Sequence, residues 1–131
     1  FTNEFSFDEE GNILSPDYLY MNGSEVFAFT IREVPPLVDE VLIANGLKKE
    51  DIDMFVFHQA NKFMLTHLRK RLKIDEEKFF IFMEDVGNTV SSTIPIALYE
   101  AMKQNKIKKG NKILLAGFGV GLSWGGVVIT Y

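Results

Sequence analysis

Met54-Phe55-Val56-Phe57-His58-Gln59-Ala60-Asn61 is the stretch that decides the fold. Four apolar residues stand in a row between Asp53 and His58, with no polar residue alternating among them. A run so short and so uniformly apolar predicts a strand covered on both faces. Apolar residues at helical spacing resume at once. Met64, Leu65, Leu68 and Leu72 fall on one face of a helix predicted from about Lys62 to Leu72.

The same alternation extends along the chain. Upstream, the apolar residues from Val26 to Ala44 predict a helix with Val34, Leu37, Val38, Val41 and Leu42 as its inner stripe. Ser24 is its expected N-cap and Asn45-Gly46 its stop, and Pro35-Pro36 is expected to kink or split it. Downstream, Phe79-Phe80-Ile81-Phe82 reads as a second buried strand. Ser91 or Ser92 starts a helix to about Gln104, with Pro95 in its first turn and Ile94, Leu98, Ala101 and Met102 inside. Ile113 to Ala116 is a third strand and Gly126 to Tyr131 a fourth. Residues 1–23 read as irregular or weakly extended, with turns at Glu9-Glu10-Gly11-Asn12 and Ser15-Pro16-Asp17. Strands alternating with helices predict an α/β layered domain on a mainly parallel sheet. The last two strands are too close for a helical crossover, so the final one is expected to pair antiparallel.

Composition narrows the function classes. Apolar residues make up 47% of the 131 and charged residues 24%, so the chain can build a core and is not of disordered type. No apolar run approaches the roughly 20 residues that span a bilayer. Phe1-Thr2-Asn3-Glu4 has neither a starting Met nor a signal-peptide pattern, so the chain is expected to begin inside a longer protein. There is no cysteine, which removes disulfides, thiolate metal sites and a thiol nucleophile from this chain, and is compatible with a cytoplasmic location. The net charge of −4 argues against nucleic acid as a partner. Ten of the 14 basic residues nevertheless sit in two blocks: Lys62, Arg69, Lys70, Arg71 and Lys73, then Lys103, Lys106, Lys108, Lys109 and Lys112. Helix ends account for such blocks. So does a basic patch for an acidic partner.

Three polar constellations stand at element ends. His58-Gln59-Ala60-Asn61 closes a buried strand, where α/β proteins place their sites. The alternative is that His58 and Gln59 only cap the next helix. Gly87-Asn88-Thr89 occupies the corresponding place after the second predicted strand; a loop glycine followed by Asn usually means turn chemistry, but loops at one edge of a parallel sheet can converge. Gly117-Phe118-Gly119-Val120-Gly121-Leu122-Ser123-Trp124-Gly125-Gly126 lies between two strands, so it is no dinucleotide fingerprint, which needs a helix after the glycines. It reads either as a tight hairpin or as a loop with N–H groups exposed for an oxyanion hole. No metal-ligand spacing is visible; His67 reads as a surface residue, and Asp51 and Asp53 as turn and strand-edge residues.

Met21 to Phe27, His58 to Asn61, Gly87-Asn88-Thr89 and Gly117 to Gly125, in this order, resemble the ketoacyl synthase III branch of the thiolase-like superfamily. The resemblance covers nearly all of residues 21–131, which it implies to be the C-terminal half of such an enzyme; residues 1–20 are assigned to a linking segment. It implies a condensing acyltransferase of fatty-acid initiation or a related pathway. A Cys in the missing N-terminal half takes an acyl group from acyl-CoA, and malonyl-acyl carrier protein supplies the carbanion after loss of CO2. His58 and Asn88 are then catalytic, as hydrogen-bond donors to the malonyl thioester oxygen. Val120 lends a backbone N–H to a second oxyanion hole within the loop Phe118, Gly119, Val120 and Gly121, and Phe118 lines the malonyl carboxylate. Asn61 lies by the pantetheine arm, and Lys62, Arg69, Lys70 and Arg71 bind acyl carrier protein; Phe63 stands where relatives often carry a basic residue. The resemblance implies no cofactor, no metal, no membrane partner and a homodimeric parent. The competing reading is a noncatalytic domain that binds a carrier protein or a partner chain.

Overall fold

The computed structural model describes residues 5–15 and 21–131. Pro16 and Asp17 of the expected second turn, and with them part of the assigned linking segment, lie outside the described residues. The Glu9-Glu10-Gly11-Asn12 turn is present. It joins β1 (Ser6–Phe7) to β2 (Ile13–Leu14) in a short antiparallel pair. The Asp8 carboxylate accepts from the Glu10 and Asn12 N–H groups, and Gly11 takes the positive φ that the turn needs.

The main body contains α1 (Gly23–Ala44), β3 (Met54–Phe57), α2 (Lys62–Leu72), α3 (Thr93–Lys103), β4 (Lys112–Gly119) and β5 (Ser123–Thr130). The sheet runs β3-β4-β5, with β3 and β4 parallel and β5 antiparallel to β4. Every residue of β3 is buried, as its apolar run requires. Alternation decides which layer each residue joins. Phe55 and Phe57 pack with Leu114, Ala116, α1 and α2, whereas Met54 and Val56 pack with Ile113 and α3 on the other face. The result is an α/β sandwich of helix, sheet and helix.

The predicted stripes of α1 and α2 are buried residue for residue. Five expectations need correction. First, the N-cap of α1 is Asn22, not Ser24; its Oδ1 accepts from the Glu25 N–H at 3.1 Å, and Ser24 donates to that same oxygen. Asn reaches the third helical N–H from an extended backbone, and Ser24 already lies inside the first turn. Second, Pro35-Pro36 does not divide α1, which is one helix of 22 residues. Burial of Val34, Leu37, Val38, Val41 and Leu42 outweighs the two lost hydrogen bonds, and the exposure of Arg32 and Pro36 keeps one freed carbonyl near solvent.

Third, Phe79–Phe82 is no strand. It touches β3 through one parallel bridge, Phe55 to Phe79, with the Phe80 N–H bonded to the Phe55 oxygen at 3.0 Å. The next donor, the Phe82 N–H, goes to Gln59 Oε1 at 2.9 Å, so a side chain replaces the ladder. Fourth, the last two strands are longer than expected and make the glycine segment a tight hairpin, one of its two readings. β4 continues to Gly119 and β5 begins at Ser123, leaving a turn at 120–122. Fifth, the inner face of α3 shifts, to Thr93, Ala97 and Ala101, because small residues let the helix lie close on Met54 and Val56; Ile94, Leu98 and Met102 pack around that contact.

Candidate active site

β3 and β4 are parallel and end at the same edge of the sheet, and that edge carries the predicted residues. The His58 N–H donates to the Ala116 oxygen at 2.8 Å and extends the ladder one residue past β3. This places the half-buried imidazole beside Phe118 on β4, edge to face with ring centroids 5.5 Å apart. Its Nδ1 lies 2.7 Å from Oγ1 of Thr93, the first residue of α3. Thr93 is buried, and its hydroxyl also lies 3.0 Å from the Val90 carbonyl oxygen.

The Asn88 side chain accepts from the N–H of the same Val90 at 2.9 Å. Its oxygen is thereby committed inward, and the group left for a ligand is the Nδ2 donor. Gly87 provides the positive φ (64°) that turns the chain into this position. Val90 itself has φ of 55°, a conformation costly for a β-branched residue, held where its N–H meets Asn88 and its carbonyl meets Thr93. His58 and Asn88 are thus linked through Val90 and Thr93. The Thr89 hydroxyl beside them is buried without a hydrogen-bond partner among the described residues.

Gln59 is not a helix cap. It is fully buried, donates to the Phe57 carbonyl and accepts from the Phe82 N–H, clipping the two chain segments together. Asn61 is the N-cap of α2, its Oδ1 accepting from the Met64 N–H at 2.8 Å. Val120 is almost fully exposed at the turn between β4 and β5, between Gly119 and Gly121, whose φ values are 150° and 139°. Val120 keeps an ordinary φ, so a β-branched residue fits there without strain.

The basic residues of α2 divide. Lys62, at its start, pairs with Glu84 at 3.3 Å. Arg69 is turned back onto the Ile74 carbonyl and Glu76, a contact that closes the helix end. Lys70 and Arg71 are exposed, roughly 12 Å along the helix from Lys62 at 1.5 Å per residue. Phe63 is 72% exposed and stacks on Phe27, which also meets the ring of the exposed His67. Among the described residues no group of three His, Cys, Asp or Glu side chains could hold a metal, and no helix is long and apolar enough to cross a membrane. Sequence reading missed Thr93, because nothing in a Ser-Ser-Thr helix start shows contact with a His 35 residues away.

Residues 42–131 match the family model for the C-terminal part of 3-oxoacyl-[acyl-carrier-protein] synthase III. The chain belongs to that family. It is 40% identical over 121 residues to the β-ketoacyl-[acyl-carrier-protein] synthase III of Clostridium perfringens, covering 92% of this chain and 37% of that protein. A crystal structure of a 3-oxoacyl-(acyl-carrier-protein) synthase III matches with a TM-score of 0.92 and 46% identity, over 98% of this chain and 38% of the other. The synthase III of Thermus thermophilus matches with a TM-score of 0.85 and 36% identity, over 98% of this chain and 41% of the other. The chain thus spans about two fifths of the length of these relatives, and its fold is the thiolase-like fold of those structures.

Desolvation lowers the pKa of His58 below the usual 6.5, and the nearby Val90 backbone opposes that shift. The folded state therefore prefers the neutral ring. Above pH 6.5 both folded and unfolded chains are neutral here and the preference contributes its full share. As the pH falls below 6.5 the unfolded chain takes a proton first, and stability declines until the folded pKa is passed. Urea midpoints of the full-length protein are expected to fall between pH 7 and 5, and His58→Gln is expected to flatten part of that slope. Identical slopes would show that the ring is not held neutral.

Proposed function

We propose that the full-length protein containing this chain is a condensing acyltransferase, joining an acyl group from acyl-CoA to malonyl-acyl carrier protein with loss of CO2. One observation supports this most: the chain commits the Asn88 oxygen and one ring nitrogen of His58 inward, which leaves an amide donor and the second ring nitrogen for a ligand. If both reach one oxygen as donors, they suit an oxygen on which negative charge develops.

On this reading a Cys of the N-terminal half carries the acyl group as a thioester. The C–C bond to the malonyl carboxylate breaks, CO2 leaves, and the electron pair moves into the thioester as an enolate. His58 and Asn88 donate to the enolate oxygen. Phe118, packed against the His58 ring, presents an apolar wall that disfavours the carboxylate relative to neutral CO2. The enolate carbon then attacks the acyl thioester, the backbone N–H of Val120 joins a second donor on the oxyanion of that step, and the Cys thiolate departs. Asn61 contacts the pantetheine arm. The protein acts as a cytoplasmic homodimer.

The direct test supplies acyl-CoA and malonyl-acyl carrier protein to the full-length protein and follows 3-oxoacyl product and CO2. Formation of both in equal amounts supports the reading. Binding of carrier with neither product would make this a carrier-binding domain instead.

Carrier proteins of this chemistry are acidic, so Lys70 and Arg71, both exposed, are expected to bind by charge. The affinity for malonyl-acyl carrier protein is expected to fall steadily between about 0.05 and 0.5 M salt. Lys70→Glu/Arg71→Glu should weaken binding at low salt and remove most of that dependence. Salt-independent binding by titration calorimetry would assign the contact to exposed apolar residues such as Phe63.

A further inference from the structure

Thr93 has one hydroxyl proton and two acceptors in reach, His58 Nδ1 at 2.7 Å and the Val90 carbonyl oxygen at 3.0 Å. At 3% exposure the Thr93 side chain is shielded from competing water. Hydroxyl donor bonds centre near about 2.7–2.8 Å and reach their limit near about 3.0 Å, whereas N–H donor bonds centre near about 2.9–3.0 Å. Both contacts lie within hydrogen-bond range, and the Nδ1 contact is the shorter of the two.

We propose that Thr93 is a positioning residue that sets the tautomer of His58: its hydroxyl donates to Nδ1 and so keeps the ring proton on Nε2. A neutral imidazole has one N–H, and whichever nitrogen accepts cannot donate. With Nδ1 accepting, Nε2–H is the donor available to a substrate oxygen. With the proton on Nδ1, a bare Nε2 lone pair would face the developing enolate and repel it. The Val90 carbonyl gives Thr93 a second state. When His58 is protonated, Nδ1–H donates to Oγ1 and the hydroxyl turns to Val90, with no heavy atom moving. The catalytic consequence rests on the role proposed for His58; the tautomer assignment does not.

The test uses the full-length protein with 15N-labelled histidine at pH 8, the His58 ring signals being identified by their loss in His58→Gln. Ring 15N shifts are expected to show the Nε2–H form in the wild type. Thr93→Val keeps the shape and removes the hydroxyl, and is expected to convert the ring largely to Nδ1–H bonded to the Val90 carbonyl. Malonyl decarboxylation should then fall by at least about tenfold in kcat, toward the about 10²–10³ expected when the donor is lost altogether, with acyl transfer to the Cys unchanged. Thr93→Ser should restore both tautomer and rate. An Nδ1–H ring in the wild type, or an Nε2–H ring that persists in Thr93→Val, overturns the proposal. If Thr93→Val does not fold, the wild-type ring spectrum decides alone. A tautomer shift in Thr93→Val, with decarboxylation unaffected in both that variant and His58→Gln, would uphold the positioning role and remove the enzymatic reading of His58.

Discussion

His58→Ala or Asn88→Ala in the full-length protein is expected to lower malonyl decarboxylation by about 10²–10³, the usual cost of one donor to a developing oxyanion. The reason lies in when the charge appears. The thioester carbonyl of the ground state is a weak acceptor that water also serves. The enolate oxygen carries most of a negative charge, in a site walled by Phe118 and, on the proposed mechanism, closed to bulk water. Donors preset by Thr93 and Val90 need no reorganisation when the charge develops. Acyl transfer from acyl-CoA to the Cys places its charge on a different oxygen, so that half-reaction should be spared. The two residues act on one atom, so the double variant should lose less than the product of the single effects. The measurement is CO2 release against acyl-enzyme formation in separate half-reactions. Equal loss in both would assign His58 and Asn88 to folding or to general substrate binding.

Gly126→Ala is expected to destabilise the protein clearly, although it adds a single methyl group. A Cβ there would stand 3.0 Å from Val41 Cγ2 on α1 and 3.1 Å from the Leu115 carbonyl oxygen, with Leu37 Cδ2 at 3.6 Å. Val41 and Leu37 belong to the buried stripe of α1, and the Leu115 oxygen is backbone within β4, so none of the three yields easily. Overpacking of this kind costs about 1–3 kcal/mol. Replacing Gly with Ala also stiffens the unfolded chain, a gain of about 0.4–1 kcal/mol that only partly offsets the clash. Gly125→Ala supplies the comparison, since its Cβ would meet nothing within 4 Å. The urea midpoint should fall clearly for Gly126→Ala and hold or rise for Gly125→Ala. Matching midpoints would mean that α1 is free to lift from β5.

Neither glycine is distinguishable from the other in the sequence, where Gly125-Gly126 is a pair in a glycine-rich segment. The difference comes from the register, which sets Gly126 opposite Ala116 and under α1. The same limit runs through the rest of the molecule. Burial follows local patterning, because an apolar stripe at 3.6 spacing or an unbroken apolar run has one economical arrangement in water. The inner faces of α1 and α2, the two-sided burial of β3 and the antiparallel last strand were legible for that reason. His58 and Asn88 stood out in the sequence as polar residues after predicted strands, and the fold links them through Val90 and Thr93; the family resemblance supplies their proposed roles.

What the sequence by itself determined is therefore the layered α/β class, the inner stripes of α1 and α2 and the buried run of β3. Tertiary structure alone decided how hydrogen bonds are shared out. It assigned Gln59 rather than a strand partner to Phe82, and Asn22 rather than Ser24 to the start of α1. It turned Arg69 back onto its own helix end and joined Thr93 to a histidine 35 residues away. The physical reason is one of range. Hydrophobic patterning is a property of neighbours along the chain, whereas a hydrogen bond depends on a few tenths of an ångström between groups that only the completed packing brings together.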